Sequence, residues 1–554
     1  MLSVLILTTS LVHPGVTEVP PVPKHLVARI EVSSGKDAWA SPLGHPIRPL
    51  LEDSEDLEML RLGLMAASGI DLDVIAETLL GGPLIFETYR TRPTNQRLRD
   101  IPTPWDTHFL IRTWNSDHRL VSDALEATLR ILSSSGRHVE RDSYRGTPYA
   151  IVDNEVLVAH VGNHLVAGTH EEIVAEAIDR LLDQVRQPPL TTGEAHSLSF
   201  DVDLHSLRGS GGGLSTLQRR SGPLIDLTFH ALVPFLDGRM TGTITWADDT
   251  VSLNANVTAD VGDIPQAYLP RKGEGEPFWV PRSPETLAVL YAPRDLADWW
   301  RNRETLLPEG QQGRLAKFDQ TMTTMFSGQS VAEDVFSQMS YDLAVVIDRQ
   351  TYDEQVHLPD VRLPGFCVVT KVNDARTFGP TLQIAFQTLL SFLNTERAKT
   401  GEAPFLVETV MQEGTQVRLA SLVPEASATG MAEGSIDFNY TPAMAVRDGW
   451  LLLGTSAEQV RRLVTAINQG QGAPIKGHLS LDLDADRATQ AFRDNRDALI
   501  AQSILEKGTD VQTATEEVDE FLSLLDMITK ASVTLELEED VMRLTTHLDV
   551  KRAP

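Results

Sequence analysis

The feature that most constrains this chain is an internal repetition. The segments Asn163 to Glu172 and Gly449 to Glu458 share a turn, an apolar strand and the sequence Gly-Thr-x-x-Glu. In both, this sequence predicts a capping box, in which the threonine hydroxyl accepts hydrogen bonds from the first helical amides. Because ordered features that recur at a wide spacing indicate a repeated structural unit, the pair predicts two similar units in tandem.

Further segments match in the same order along the chain. The matched segments are Leu26 to Ile30 with Leu287 to Tyr291, Phe109 to Trp114 with Cys367 to Val372, Leu198 to Asp203 with Leu479 to Asp484, and Thr243 to Val257 with Thr534 to Leu548. Extra polar sequence in the second copy, at Glu396 to Ala403 and Pro424 to Gly434, is interpreted as loop insertions.

The chain has 554 residues, which exceeds what one hydrophobic core normally supports. Residues 263–285 are rich in Pro, Gly and charge, which is typical of a linker. We therefore predict a first unit over residues 24–262 and a second over residues 286–554.

The N-terminal segment is short and apolar. Residues 1–15 are interpreted as a secretory leader and residues 16–23 as a Pro-rich spacer, although no basic residue precedes the apolar run. The alternative is a buried N-terminal strand. No stretch approaches the 18 or so apolar residues of a membrane span, so the chain is not expected to be integral to a membrane. The secretory leader predicts a periplasmic or extracellular protein.

The fold class follows from the turns. A tight hairpin over residues 161–165, around Gly162 and Asn163, predicts antiparallel strands, which favours α+β over a doubly wound parallel sheet. Within Phe109 to Asp203 the order β-α-β-β-α-β resembles a ferredoxin-like unit. We expect mainly antiparallel sheets in both units.

The strand Asp-Gly-Trp-Leu-Leu-Leu-Gly-Thr-Ser-Ala-Glu, from Asp448 to Glu458, opens a capped helix. In this pattern the chain resembles large bacterial exported proteins of an uncharacterised domain-of-unknown-function family with repeated α+β units. The resemblance implies a location in the cell envelope and no known activity. It transfers no functional residues.

Composition narrows the classes of partner. The formal net charge of -29 repels phosphate backbones, and no basic patch offsets it, so nucleic acid is not an expected partner. The single cysteine, Cys367, excludes an internal disulfide and a CxxC site, and its apolar surroundings predict a buried, inert thiol. No cofactor is predicted.

The candidate metal ligands are His160, His164 and His170, which lie close together in the first unit. Because the second unit lacks histidine at the matching positions, any such site belongs to the first unit alone, and core or surface histidines are the alternative interpretation. The run Asp482, Asp484 and Asp486 resembles the start of a calcium loop.

The calcium interpretation is not favoured. Arg487 and Arg493 stand where an EF-hand needs glycine and glutamate, so the aspartates are better interpreted as the solvent face of a strand. The sequence contains no Gly-x-Ser-x-Gly and no His-Glu-x-x-His motif, and we assign no catalytic residue.

Trp299 and Trp300 are adjacent, and neither a strand nor a helix buries two neighbouring large rings on one face. One ring is predicted to project toward the other unit or a partner. The alternative is packing in the core, because the first unit has a tryptophan, Trp39, at the position that matches Trp300 in the second unit.

The repeat keeps strands, caps and apolar positions while its His and Asp clusters diverge. What the two units have in common is therefore their shape. This predicts a non-catalytic extracytoplasmic binding or scaffold protein, whose partner is a protein, a glycan or another envelope component. The alternatives are a carrier of an apolar ligand such as a lipid, and a hydrolase with a site in the first unit only. The sequence does not fix the oligomeric state.

Overall fold

The structure is a computed structural model that describes residues 26–40, 65, 74, 81–91, 106–115, 117–184, 197–204, 238–247, 249–258, 277–303, 309–352, 358–422, 435–538 and 541–551. The predicted leader and spacer lie outside these residues, as does most of the predicted linker. We refer to residues 26–258 as the first half of the chain and to residues 277–551 as the second half.

The described strands of the first half are β1 (Leu26–Val32), β2 (Leu84–Thr91), β3 (Asp106–Trp114), β4 (Val139–Tyr144), β5 (Thr147–Val152), β6 (Val156–Val161), β7 (His164–Gly168), β8 (Ser197–Asp203), β9 (Arg239–Ala247) and β10 (Thr250–Thr258). Those of the second half are β11 (Phe278–Pro281), β12 (Thr286–Tyr291), β13 (Met339–Asp348), β14 (Gly365–Val372), β15 (Phe405–Gln412), β16 (Thr415–Leu422), β17 (Ala443–Arg447), β18 (Trp450–Gly454), β19 (Gly472–Ile475), β20 (Leu479–Asp484), β21 (Ile528–Glu538) and β22 (Val541–Val550).

The described α-helices are α1 (Gly35–Ala40), α2 (His118–Ser134), α3 (Glu171–Gln184), α4 (Leu296–Arg301), α5 (Glu309–Met325), α6 (Ala375–Thr400), α7 (Ala457–Gln469), α8 (Ala485–Arg493), α9 (Arg496–Lys507) and α10 (Val511–Asp526). Within the described part of the chain, no helix has both the length and the apolar character of a membrane span.

Twenty of the described strands form one antiparallel sheet, and β11 pairs separately with β19. From one edge to the other, the pairings give the order β4-β5-β6-β7-β3-β2-β1-β8-β9-β10-β22-β21-β20-β12-β13-β14-β18-β17-β16-β15. The fold is therefore α+β with antiparallel pairing, as the hairpin sequences predict.

The two halves meet at the centre of this sheet. Strands β10 and β22 pair over nine residues, from Thr250 opposite Asp549 to Thr258 opposite Val541. Backbone hydrogen bonds thus continue from one half into the other without a break, and the two ends of the sheet are β4 and β15.

Helices cover the flanks of both faces. On one face α7 packs its Val460 and Leu463 against Cys367 and Leu452, and α3 packs in the same way on β3, β6 and β7. We call this the α3/α7 face. On the opposite face, α6 packs Leu382 on the buried side chains of β16, β17 and β18. The halves therefore place their helices on both sides of a shared sheet.

The predicted capping boxes are wrong in detail. The hydroxyl of Thr169 accepts a hydrogen bond from the backbone N–H of Phe109 at 2.9 Å, and that of Thr455 accepts one from Phe366 at 3.0 Å. Helix α7 begins one residue later than predicted, with Ser456 as its N-cap. Each threonine instead fastens the end of one strand to its neighbour in the sheet.

Two predictions about the intervening segments also fail. Residues 396–400, interpreted as part of a loop insertion, form the last turns of α6, which has 26 residues where α2 has 17. Four strands, β4 to β7, lie between α2 and α3, so the predicted β-α-β-β-α-β order is not observed. Pro424 to Gly434 lies outside the described residues.

The paired tryptophans and the end of the predicted linker are both packed. Trp299 and Trp300 are buried in α4, and the Trp300 indole donates a hydrogen bond to Asp319 at 2.8 Å. Trp300 also packs against Phe336 of the same half. The alternative of packing in the core is therefore observed, and the prediction that one ring projects toward the other unit or a partner is wrong. Residues 278–281, within the predicted linker, form β11 with Val280 fully buried.

Gly454 tests the packing of α7 on the sheet. A Cβ at this position would lie 2.7 Å from Val460 Cγ2, so we expect Gly454→Ala to destabilise the protein by about 1–3 kcal/mol. Urea unfolding measures the effect. In a Val460→Ala background the cost should be clearly smaller, because the clashing methyl is gone.

Gly313→Ala is the matched control for this variant. Gly313 lies in α5 with open space around its added Cβ, and we expect no loss of stability there. Equal unfolding midpoints for Gly454→Ala and the unmodified chain would contradict the described packing.

Candidate functional site

The three candidate histidines do not converge. The hairpin pairing sets His164 opposite Val161 and His160 opposite Leu165, so the two side chains project to opposite faces of the sheet. His170 precedes α3, and its ring lies 4.5 Å from that of His108, centroid to centroid. Among the described residues, no group of three or more His, Cys, Asp or Glu is placed to hold a metal ion.

Burial decides the charge of two of these histidines. It lowers the pKa of His160, with a further contribution from nearby His118, and it lowers the pKa of His164, helped by Arg112. Both rings are therefore neutral near pH 7. Because the two rings lie on opposite faces of the sheet, His160 and His164 do not belong to one site.

The aspartates of the calcium-like run are each engaged separately. Asp482 forms an ion pair with Arg282, Asp484 caps α8 through the backbone N–H of Arg487, and Asp486 pairs with Lys551. Three carboxylates with three different partners do not form a calcium site. The buried thiol of Cys367 has its pKa raised by desolvation, which keeps it protonated and inert.

The first half buries a carboxylate beneath α3. Glu87 on β2 accepts hydrogen bonds from Tyr89 at 2.8 Å and Arg112 at 3.2 Å, and Arg29 lies 3.6 Å away. Burial alone raises the pKa of Glu87, but Arg112, Arg29 and Tyr89 together hold it below its ordinary value. The carboxylate is ionised, fully paired and closed to solvent.

The second half buries a different carboxylate in the equivalent layer, beneath α7. Asp348, at the end of β13, accepts hydrogen bonds from Ser283 at 2.7 Å and Thr286 at 2.9 Å. Arg462 of α7 is 3.7 Å away. Burial raises the pKa of Asp348, and these hydrogen bonds and Arg462 offset it only in part. Both networks hold a helix on the sheet.

An open polar surface lies between these helix-covered flanks. Along the central strands β8, β9, β10, β22, β21 and β20, the side chains on the α3/α7 face are polar. One row across the strands carries only hydroxyl and amide side chains, set directly opposite one another: Ser199, Thr243, Asn254, Thr545, Thr534 and Ser480. At about 4.8 Å per strand, this row spans about 24 Å.

Two further rows flank the hydroxyl row. One contains Asp201, Thr241, Asn256, Arg543 and Glu536, and the other contains Ser197, Thr245, Ser252, His547, Ser532 and Asp482. We call the three rows together the polar central face. Its middle is the most accessible part, since Asn254, Asn256 and His547 are exposed.

Charge on the polar central face is balanced locally. Asp201 is paired with Arg239, and Glu536 lies 3.7 Å from Arg543. The hydroxyl row beside these two ion pairs has no charged side chain. The surface is therefore suited to hydrogen bonding with an uncharged polar partner, although the chain as a whole is strongly acidic.

A serine and a histidine meet on this face. Ser252 Oγ lies 2.8 Å from His547 Nδ1 across β10 and β22. Asp482 is in the same row but two strands from His547, which is about 10 Å. Among the described residues no carboxylate is hydrogen-bonded to His547, so the pair is not arranged as a Ser-His-Asp triad.

Two clefts among the described residues have charged side chains in their linings. One of about 270 Å³ lies beside α7 and is lined by Glu458, Arg461 and Arg462 among others. A second, of about 350 Å³, is lined by Arg493, Arg496 and Asp519 with their neighbours on α10. Charged linings of this kind give no support to a carrier of an apolar ligand.

The polar central face is a feature that the sequence alone does not predict. Alternating polar residues in both terminal hairpins, such as Thr243 and Thr245, or Asn254 and Asn256, were the signal that could have located it. The sequence predicts these residues only as parts of terminal hairpins, because nothing in it shows that β10 and β22 are neighbours.

Comparisons with known proteins add little. No family model matches the chain, and no curated protein matches it. One solved structure, titled as crystal form III of TP0453, is similar over 42% of this chain and 76% of its own, with 10% identity and a TM-score of 0.24. A likeness at this level carries no argument about fold or function.

Glu87 gives a test of the buried network. Glu87→Gln leaves Arg112 buried without a countercharge, so we expect a loss of about 3–5 kcal/mol in the free energy of unfolding at pH 7. The pKa of Glu87 is lowered on folding, so its stabilisation is present above the unfolded pKa near 4.5 and is lost as pH falls through the folded pKa. Urea titrations from pH 7 to pH 3 measure both effects.

The control is Glu126→Gln, which removes an exposed ion pair with Arg141. We expect a change of at most about 1 kcal/mol there. An equal loss in the free energy of unfolding for both variants would disprove the ionised state of Glu87. So would a difference between their free energies of unfolding that did not become smaller at low pH.

Proposed function

We propose that this chain is a non-catalytic extracytoplasmic binding or scaffold protein that binds its partner on the polar central face. The observation that carries this proposal is the hydroxyl row, since each half of the chain contributes three side chains to it. The row is uncharged, and its middle is exposed at Asn254, while Ser199 and Ser480 at its ends are buried. Neighbouring side chains of the hydroxyl row are separated by the distance between strands, about 4.8 Å. The expected partner is therefore an extended polymer rich in hydroxyl or amide groups. Location in the envelope, with the family resemblance, is part of the same proposal.

We also propose that the chain is a tandem duplication. Counted outward from the centre, the strand orders are β10-β9-β8-β1-β2-β3-β7-β6-β5-β4 and β22-β21-β20-β12-β13-β14-β18-β17-β16-β15. Helices α2 and α6 follow the equivalent strands β3 and β14, and α3 and α7 follow the equivalent strands β7 and β18. Equivalent glycines also make the same contact, since a Cβ on Gly168 or Gly454 would lie 2.7 Å from Val174 or Val460.

The pairing registers refine the alignment of the two copies. Leu110 lies opposite Gly168, and Cys367 lies opposite Gly454. Phe109 therefore corresponds to Phe366, and the sequence match of Phe109 with Cys367 is displaced by one residue. A shift of one residue exchanges the two faces of a strand. In a strand with apolar residues on both faces, the sequence does not reveal such a shift.

The binding proposal is tested with the full chain. We expect Asn254→Arg combined with Asn256→Arg to abolish capture of the partner from the envelope fraction, because two long cations would cover the hydroxyl row. Mass spectrometry and sugar analysis of the captured material measure the loss. Capture by the unmodified chain should be nearly equal at 50 and 500 mM salt, because the hydroxyl row is uncharged.

Gln320→Arg, at an exposed position on α5, is the control and should leave capture unchanged. Unaltered capture by the double variant, or loss of capture at high salt, would contradict the proposal. Circular dichroism should show the same melting temperature for both variants.

The duplication is tested by dividing the chain. We expect residues 24–262 and 277–554 to melt cooperatively when expressed separately, and to form a 1:1 complex on mixing through β10 and β22. Calorimetry and native mass spectrometry measure these properties. Aggregation of both fragments would contradict two independently folding copies.

A further inference from the structure

The sheet has two free edges, and their chemistry differs. Among the described elements, β4 pairs only with β5, and β15 pairs only with β16. An edge strand offers unpaired backbone groups to another chain, and proteins normally protect such edges with charge or short length.

The β4 edge is protected in this way. It has six residues, and the consecutive positions Glu140, Arg141 and Asp142 place exposed charges along it. A strand from another molecule would have to desolvate these charges to pair with β4.

The β15 edge is not protected. It has eight residues with Glu408 as its one charged side chain, and its exposed positions include Leu406 at 46%, Val407 at 46% and Met411 at 67%. The elements beside it are also longer than their counterparts, since α6 has 26 residues against 17 in α2. The second half therefore presents a longer and more apolar edge than the first.

We propose that β15 is a dimerisation edge, which pairs antiparallel with β15 of a second copy of this chain. The sequence Phe-Leu-Val-Glu-Thr-Val-Met-Gln fits itself when the two-fold axis passes through Thr409. Val407 then lies opposite Met411 of the second copy, twice, and Glu408 lies opposite Val410. A register centred on Glu408 would set two glutamates against each other, which is unfavourable.

Other strands that could pair with the β15 edge fit less well. Pairing β15 with β4 of another molecule would oppose Val407 and Met411 with the charges of β4. It would also leave a free edge at each end and build an open filament. Pairing β15 with itself leaves only the two charged β4 edges exposed, so that assembly stops at the dimer. This inference is independent of the proposed function, because β15 lies at the far end of the sheet from the polar central face.

A cysteine on the two-fold axis tests the register. Directly opposite residues of an antiparallel pair have Cα atoms about 4.5–5.5 Å apart, within reach of a disulfide. We expect Thr409→Cys to give a covalent dimer of twice 61.0 kDa under mild oxidation. The native Cys367 is fully buried and should give no background.

Glu140→Cys, on the β4 edge, is the matched control and should form no covalent dimer under the same oxidation. No cross-link from Thr409→Cys, or equal cross-linking from both variants, would overturn the proposal.

Paired charge variants test the contact itself in the full chain by light scattering and native mass spectrometry. Val407→Lys with Met411→Lys sets lysine against lysine at both contacts, so we expect the dimer dissociation constant to rise at least about tenfold. Val407→Lys with Met411→Glu sets opposite charges there and should restore the dimer to within about threefold of the unmodified chain.

Leu505→Lys, at a position 85% exposed on α9, controls for the loss of a surface apolar side chain and should have no effect. An unmodified chain that is monomeric up to about 100 μM would overturn the proposal, as would equal dissociation of the two charge variants. Concentration-dependent filaments would instead favour pairing of β15 with β4.

Discussion

The antiparallel pairing of β10 with β22 is the contact on which the architecture depends. Its nine residue pairs join two sheets of ten strands into one, and they bring the final hairpins of both halves side by side. Because directly opposite residues project to the same side, this pairing aligns the polar positions of six strands on the α3/α7 face. The hydroxyl row exists only because the two halves are in register.

Below the flanking helices, the halves share shape but differ in polar chemistry. Glu87 with its arginines occupies the layer under α3, and Asp348 with two hydroxyl side chains occupies the layer under α7. Each network satisfies its own buried charge, and neither opens to solvent. Buried polar groups of this kind orient a helix on a sheet, which is consistent with a protein whose function depends on the form of its surface.

The same pairing also determines which backbone remains unpaired. Joining the halves at the centre leaves β4 and β15 as the ends of the sheet, and these two equivalent strands have opposite character. Charge on β4 resists addition of another strand, whereas the apolar positions of β15 favour it. The two halves therefore differ in the chemistry of their end strands.

The sequence by itself determined the α+β class, the hairpins around Gly162 and at the end of each half, and the buried Cys367, because alternation and turn chemistry are local properties. It predicted only that the histidines of residues 160 to 170 lie close together in the chain. The pairing of β6 with β7 places His160 and His164 on opposite faces of the sheet. Tertiary structure alone decided that β10 meets β22, that Thr169 and Thr455 bridge strands instead of capping helices, and that the polar residues of six strands form one surface. The physical reason is that strand neighbours and register depend on pairing between residues far apart in the chain, which no local pattern specifies.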